Sequence, residues 1–150
     1  MKKTTIVLAG LVIALAGAQF VRPARTNPAV DAPLAIGDPA VEAVLRRACF
    51  DCHSNETRWP WYSAVAPSSW LVVRDVNEGR GEMNFSSWND PEGELREEIC
   101  EKVREGEMPL KIYLPLHAKA RLTEADKTAL CAWANRAPSP QAGTHTEDDA

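Results

Sequence analysis

Apolar positions along the chain form one unbroken run and four shorter periodic stretches, set apart by segments rich in proline and glycine. The run extends from Ile6 to Val21, holds no charge, is interrupted only by small residues and Gln19, and follows Lys2 and Lys3. A basic start ahead of such a run is an export signal. Ala16-Gly17-Ala18 suits a small-residue cleavage site, whereas the length of the run is close to that of a bilayer-spanning helix. The balance favours an uncleaved anchor over residues 1–21, with cleavage near Ala18 as the alternative. Residues 22–37 carry Pro23, Pro28 and Pro33 among Ala, Thr and Asn. That composition stays extended at about 3 Å per residue and predicts a linker that acts as a spacer.

The periodic stretches read as helices. Asp38-Pro39 is an N-cap followed by proline at the first helical position, and Val41, Val44, Leu45 and Ala48 then recur at helical spacing, leading directly into Cys49. Asn55 to Pro67 holds Trp59, Pro60 and Trp61, an ordered loop in which the prolines forbid a regular helix. Ser68 or Ser69 caps a second helix expected to run to about Glu78, where Gly79 and Gly81 end it. Asn89-Asp90-Pro91 repeats the cap-plus-proline signal for a third helix, with Leu95, Ile99 and Val103 on one face and Gly106 just past its end. Thr123 and Asp126 form a variant capping box for a last helix that buries Leu130, Trp133 and Ala134. Nothing reads as a strand, so residues 38–136 form an all-α domain. Residues 137–150 are polar and aperiodic, a disordered tail.

Composition agrees with one folded domain: of 150 residues, 45% are hydrophobic and 25% charged. The formal charge is -4, and it becomes -6 without the first 21 residues, which carry two lysines and no acid. There is no basic stripe with interleaved aromatics, which excludes a nucleic-acid surface and leaves a basic protein as the better docking partner.

The chemistry lies in Cys49-Phe50-Asp51-Cys52-His53. In this C-x-x-C-H arrangement two thiols form thioethers to haem vinyl groups and the adjacent imidazole coordinates the iron. Cysteines three apart on one helical turn reach neighbouring edges of a porphyrin, and the next residue points its ring at the metal. A thioredoxin-like pair follows a strand, and a zinc knuckle needs a second close pair of ligands. Here the motif follows a helix, and Cys100 and Cys131 are far apart in sequence. The candidates for the sixth iron ligand are Met108, His117, Met83 and His145. Met108 is preferred because Gly106 permits a tight path and Pro109 stiffens the chain beside it. His117 is the alternative, Met83 is read as core, and His145 lies in the tail. A methionine sulfur favours ferrous iron and raises the reduction potential, whereas a second imidazole lowers it. Cys100 and Cys131 are expected to pair as a disulfide in an oxidising compartment, the bland alternative being two small buried hydrophobes. The five tryptophans are read as packing around the porphyrin, with indole N–H groups or Arg58 donating to its propionates, plain core packing being the safer reading for each.

The combined residues Cys49 to His53, Ser54-Asn55-Glu56-Thr57-Arg58-Trp59-Pro60-Trp61-Tyr62, Ala66-Pro67-Ser68-Ser69-Trp70, Asn84-Phe85-Ser86-Ser87-Trp88, Gly106-Glu107-Met108-Pro109 and Leu130-Cys131-Ala132-Trp133 resemble the bacterial haem-binding domain family. The likeness covers roughly residues 38–136. It implies a cytochrome-c-like helical fold around one covalent haem c, with frequent attachment to the membrane by an N-terminal segment. Of the site residues, Cys49, Cys52 and His53 carry over. The resulting expectation is a periplasmic monohaem electron carrier, tethered to the inner membrane and serving redox protein partners, with no catalytic residues of its own. The competing class is a haem enzyme or gas sensor with an open or displaceable sixth ligand; a third is a haem-bearing docking subunit.

Overall fold

The structure, a computed structural model, describes residues 2–136; the expected tail and His145 lie outside them. Six α-helices carry the fold among these residues, and the only pairing of extended chain is an isolated parallel bridge between Ala32 and Ser87. The domain is all-helical.

Helix α1 (Lys2–Ala18) stands clear of the rest and buries none of its residues. Its 17 residues end where Gln19, Phe20 and Val21 close tight turns onto the carbonyls of Ala16, Gly17 and Ala18. No described helix is long and apolar enough to cross a membrane. The extended segment that follows does not behave as a spacer. Its backbone and side chains are tied to the domain: Leu34 N–H donates to Phe85 O (2.8 Å), Trp88 N–H to Ala32 O (2.7 Å), Asn55 Nδ2 to Ala29 O (2.7 Å) and Trp133 Nε1 to Ile36 O (3.0 Å). Proline removes donors only at its own positions, so the intervening amides and carbonyls remain free to bond, and the segment lies on the helices as a strap.

Helix α2 (Pro39–Ala48) begins as its sequence dictates, with the Asp38 carboxylate accepting the Ala40 and Val41 amides. Val41, Val44 and Leu45 are its buried face. Cys49 ends α2 and opens the single turn α3 (Phe50–His53), its carbonyl accepting the amides of Cys52 and His53. Helix α4 (Ser68–Glu82) corrects two expectations. Ser68 does not cap it: its hydroxyl donates backwards to the carbonyls of Tyr62 and Val65. Nor does Gly79 stop it, since the helix runs on through Gly79 and Gly81 to Glu82. Gly79 serves closeness instead. A Cβ there would stand 2.9 Å from the Cys52 carbonyl oxygen, so only glycine lets α3 and α4 approach this far.

Helix α5 (Glu94–Glu105) starts later than Asp90-Pro91 suggests, with Gly93 at the N-cap. The Asp90 carboxylate still caps it, reaching forward to the Leu95 and Arg96 amides at 3.2 and 3.3 Å. The far end follows the sequence signal, Gly106 taking the left-handed conformation (φ 71°) that stops a helix. Helix α6 (Glu124–Ala134) carries the complete Thr123/Asp126 capping box. Cys100 of α5 and Cys131 of α6 form a disulfide. The core runs between α2, α5 and α6 and takes in Phe50, Phe85 and Trp88, whose rings stack in series at 5.0 and 5.7 Å. Leu45 and Leu130 are fully buried, each contributing on the order of 1.5–3 kcal/mol.

Candidate functional site

The site forms where α3 is pressed against α4. His53 is buried, and its Nδ1 lies 2.9 Å from the carbonyl of Gly79 and 3.2 Å from that of Met83. Both partners only accept, so Nδ1 carries the proton and Nε2 keeps its lone pair free for a metal. Further hydrogen bonds clamp the turn: Phe85 N–H donates to His53 O (2.8 Å), Ser54 Oγ to Phe50 O (2.7 Å), and Asn55 N–H to Ser86 Oγ (2.9 Å). Arg80 braces the loop beyond, donating to Ser54 O, Thr26 O, Asn27 Oδ1 and Thr57 Oγ1. One side chain thereby joins α4, the strap and the segment after the motif.

Cys49 and Cys52 are partly exposed and unpaired. Burial pushes the Cys49 thiol up to about 12, with Cys52 adding to it, and pushes Cys52 up to about 11, with Asp51 next. These thiols stay protonated at neutral pH. A redox dithiol needs the opposite shift, toward thiolate. Among the described residues no group of three or more His, Cys, Asp or Glu side chains converges to hold a bare metal ion.

Two clefts meet at this turn, both opening to solvent. Cys49, His53 and Met108 line both. Val72, Val76, Pro109 and Leu110 supply apolar wall to the first; Met83, Phe85, Ile99 and Val103 to the second. Met108 reaches this place because Gly106 ends α5 and its own amide bonds back to Lys102 O at 3.2 Å. His117 lines only the first cleft. Its ring stacks on Tyr113 at 3.7 Å, its Nδ1 lies 3.1 Å from the Tyr113 carbonyl, and the Tyr62 hydroxyl is 3.5 Å from it. Met83 packs against the core, its carbonyl rather than its sulfur meeting His53.

None of the five tryptophans lines either cleft, and the core-packing reading holds for two of them. Trp88 and Trp133 are in the hydrophobic core, Trp59 bonds to Asn27, and Trp61 and Trp70 face outward. Arg58 stands at the rim of the first cleft, beside Asp51.

Sequence reasoning missed the tyrosines. Tyr113 donates to Asp51 Oδ2 at 3.0 Å, and burial together with Asp51 raises its proton affinity far above that of an ordinary phenol. The only available signal was the apolar alternation of Leu110, Ile112, Leu114 and Leu116 around it, just beyond Met108. Asp51, Asp75, Glu78 and Glu82 make the rim mainly acidic, with Arg58 and Arg74 among them.

A family model described as haem-binding domain matches residues 13–136. Comparison with curated proteins and with solved structures found no significant match. The residues fit a haem. Two unpaired thiols and an imidazole with its outer nitrogen free line the first of two apolar-walled clefts, which share a thioether side chain.

Proposed function

The chain belongs to the haem-binding domain family, a haem protein whose cofactor brings a one-electron iron couple, and from that premise we propose that it is an exported c-type cytochrome passing single electrons between partner proteins. The observation that carries this reading is the His53 ring, its Nδ1 proton committed to Gly79 O, lining one cleft together with two free thiols. In this reading Cys49 and Cys52 hold the haem by thioether bonds and His53 is the proximal ligand. The Gly79 and Met83 carbonyls fix the tautomer and raise the basicity of the coordinating nitrogen. Met108, which lines both clefts with His53, is the sixth ligand, and its sulfur favours the ferrous state. With His53 and Met108 both holding the group, no position on it would be left open for substrate, which leaves electron transfer. The acidic rim suits a basic redox partner.

Export is supported by Lys2 and Lys3 at the start of α1, ahead of its apolar run, and by the Cys100–Cys131 disulfide, which persists in an oxidising compartment such as the periplasm. In this reading α1 remains as an anchor in the inner membrane. A second reading, a gas sensor or haem enzyme, is favoured by His117 and Tyr62 standing together in the first cleft. Spectra of the oxidised protein separate the two. The weak long-wavelength band of methionine-to-iron ligation is expected in the wild type and in His117→Ala, and is expected to vanish in Met108→Ala. Loss in His117→Ala instead, or ready binding of carbon monoxide by the reduced wild type, sinks the electron-carrier reading.

A further inference from the structure

Five of the exposed large apolar side chains outside α1 gather at one corner of the domain, where α1 enters it, while Val30, Ile112 and Leu116 are exposed as well. Phe20 is 89% exposed and Trp61 77%, with Val21, Val65 and Trp70 also outward. This corner is built. The Gln19 amide exchanges two hydrogen bonds with the backbone of Ala66, at 3.1 and 3.0 Å, and the Trp70 indole N–H donates to Val21 O at 2.8 Å. Trp61 opens the 3-10 turn Trp61–Ala64, and the carbonyls of Tyr62 within it and Val65 just after it accept from the Ser68 hydroxyl at the start of α4. The end of α1 is thus fixed to the same few residues that carry the exposed aromatics. Arg22 follows immediately, donating to Gln19 O at 2.9 Å.

Resting on the reading of α1 as a membrane anchor, we propose that the haem domain sits flush on the phospholipid bilayer that holds α1, seated by a belt of Phe20, Trp61 and Trp70. The length of the segment leaves no slack. From Thr4 to Val21 the chain rises about 28 Å, counting about 1.5 Å per helical residue and about 2.0 Å for each of the final tight turns. That is close to the ~30 Å of a bilayer's hydrocarbon core. The helix alone falls short; the turns through Val21 complete the span and bring the corner to the interface. Amphipathic indole rings concentrate at that depth, and an arginine just outside it meets the phosphate groups. The strap cannot lift the domain away, because it is bonded along the domain's own surface.

The test uses the full-length holoprotein in phospholipid nanodiscs and hydroxyl-radical oxidation, read by mass spectrometry against free N-acetyltryptophanamide in the same sample. Trp61 is expected to oxidise several-fold more slowly than its 77% exposure in water implies. In Gln19→Ala combined with Trp70→Phe, which removes the bonds fixing the corner, its rate is expected to rise toward that of the free amide. Trp88, buried in the core, reports whether the variant stays folded. Trp61 oxidising at the free rate in the wild type, while the chain travels with the nanodiscs, overturns the seat and leaves the anchor standing. A chain that does not enter the nanodiscs overturns the anchor itself.

Discussion

Replacing Gly79 by alanine tests the contact on which the site is built. The new Cβ would lie 2.9 Å from the Cys52 carbonyl oxygen, 3.3 Å from its carbon and 3.3 Å from His53 Cε1. Two of these three are backbone atoms, so relief requires α3 and α4 to separate, with an overpacking cost of about 1–3 kcal/mol. Alanine also improves helix propensity by about 1 kcal/mol, which masks part of the loss. Gly81, two residues on in the same helix, has nothing within 4 Å of its Cβ position. Gly81→Ala therefore carries the propensity gain alone, and the difference between the two variants isolates the steric cost. At about 4–8 °C per kcal/mol for a domain of about a hundred residues, Gly79→Ala is expected to melt roughly 4–24 °C below Gly81→Ala. The assay is thermal unfolding followed by circular dichroism, with the haem spectrum recorded alongside for displacement of His53. Equal melting temperatures with unchanged spectra would refute the argument that Gly79 is there for closeness.

Other consequences are open to measurement. Tyr113→Phe removes the donor to Asp51 Oδ2 while leaving that carboxylate bonded to the Arg58 amide, so a loss of about 1 kcal/mol is expected in urea titration; no loss would show the bond to be idle. Replacing both Cys100 and Cys131 by serine opens a loop with a sequence separation of 31, and about 3–4 kcal/mol of stability is expected to go with it, read from denaturant midpoints. Asp126 is held below its ordinary 3.8, first by the Arg47 guanidinium 2.6 Å away. A carboxylate with a lowered folded value stabilises above its unfolded value and loses that contribution as pH falls through the folded one. Stability is thus expected to drop below about pH 3.8, less steeply in Asp126→Asn; identical acid profiles would contradict the pairing.

Local signals were legible wherever a short-range bond decides the structure. Asp38-Pro39 opens α2, the Thr123/Asp126 box opens α6 and Gly106 ends α5, because each acts within one helical turn. The signals that misled depend on distant partners. Gly79 reads as a helix stop until α3 lies against it, and Asp90 caps α5 from beyond an intervening turn. The proline-rich segment reads as a free spacer because its bonds are made to Phe85, Trp88 and Trp133, far along the chain. Within the site, the spacing of Cys49, Cys52 and His53 was visible at once. What orients the imidazole was not, since it is the backbone of Gly79 and Met83, whose side chains give no hint of it. Tyr113 was hidden for a similar reason: its partner, Asp51, sits 62 positions earlier.

The central claim is a porphyrin bonded through sulfur to Cys49 and Cys52. Intact-mass spectrometry of denatured protein, made in cells with a working haem-maturation system, tests it most directly. The account predicts a coloured polypeptide heavier than its sequence by one haem, with the added mass lost in Cys49→Ser combined with Cys52→Ser. A colourless product weighing only its amino acids would contradict it.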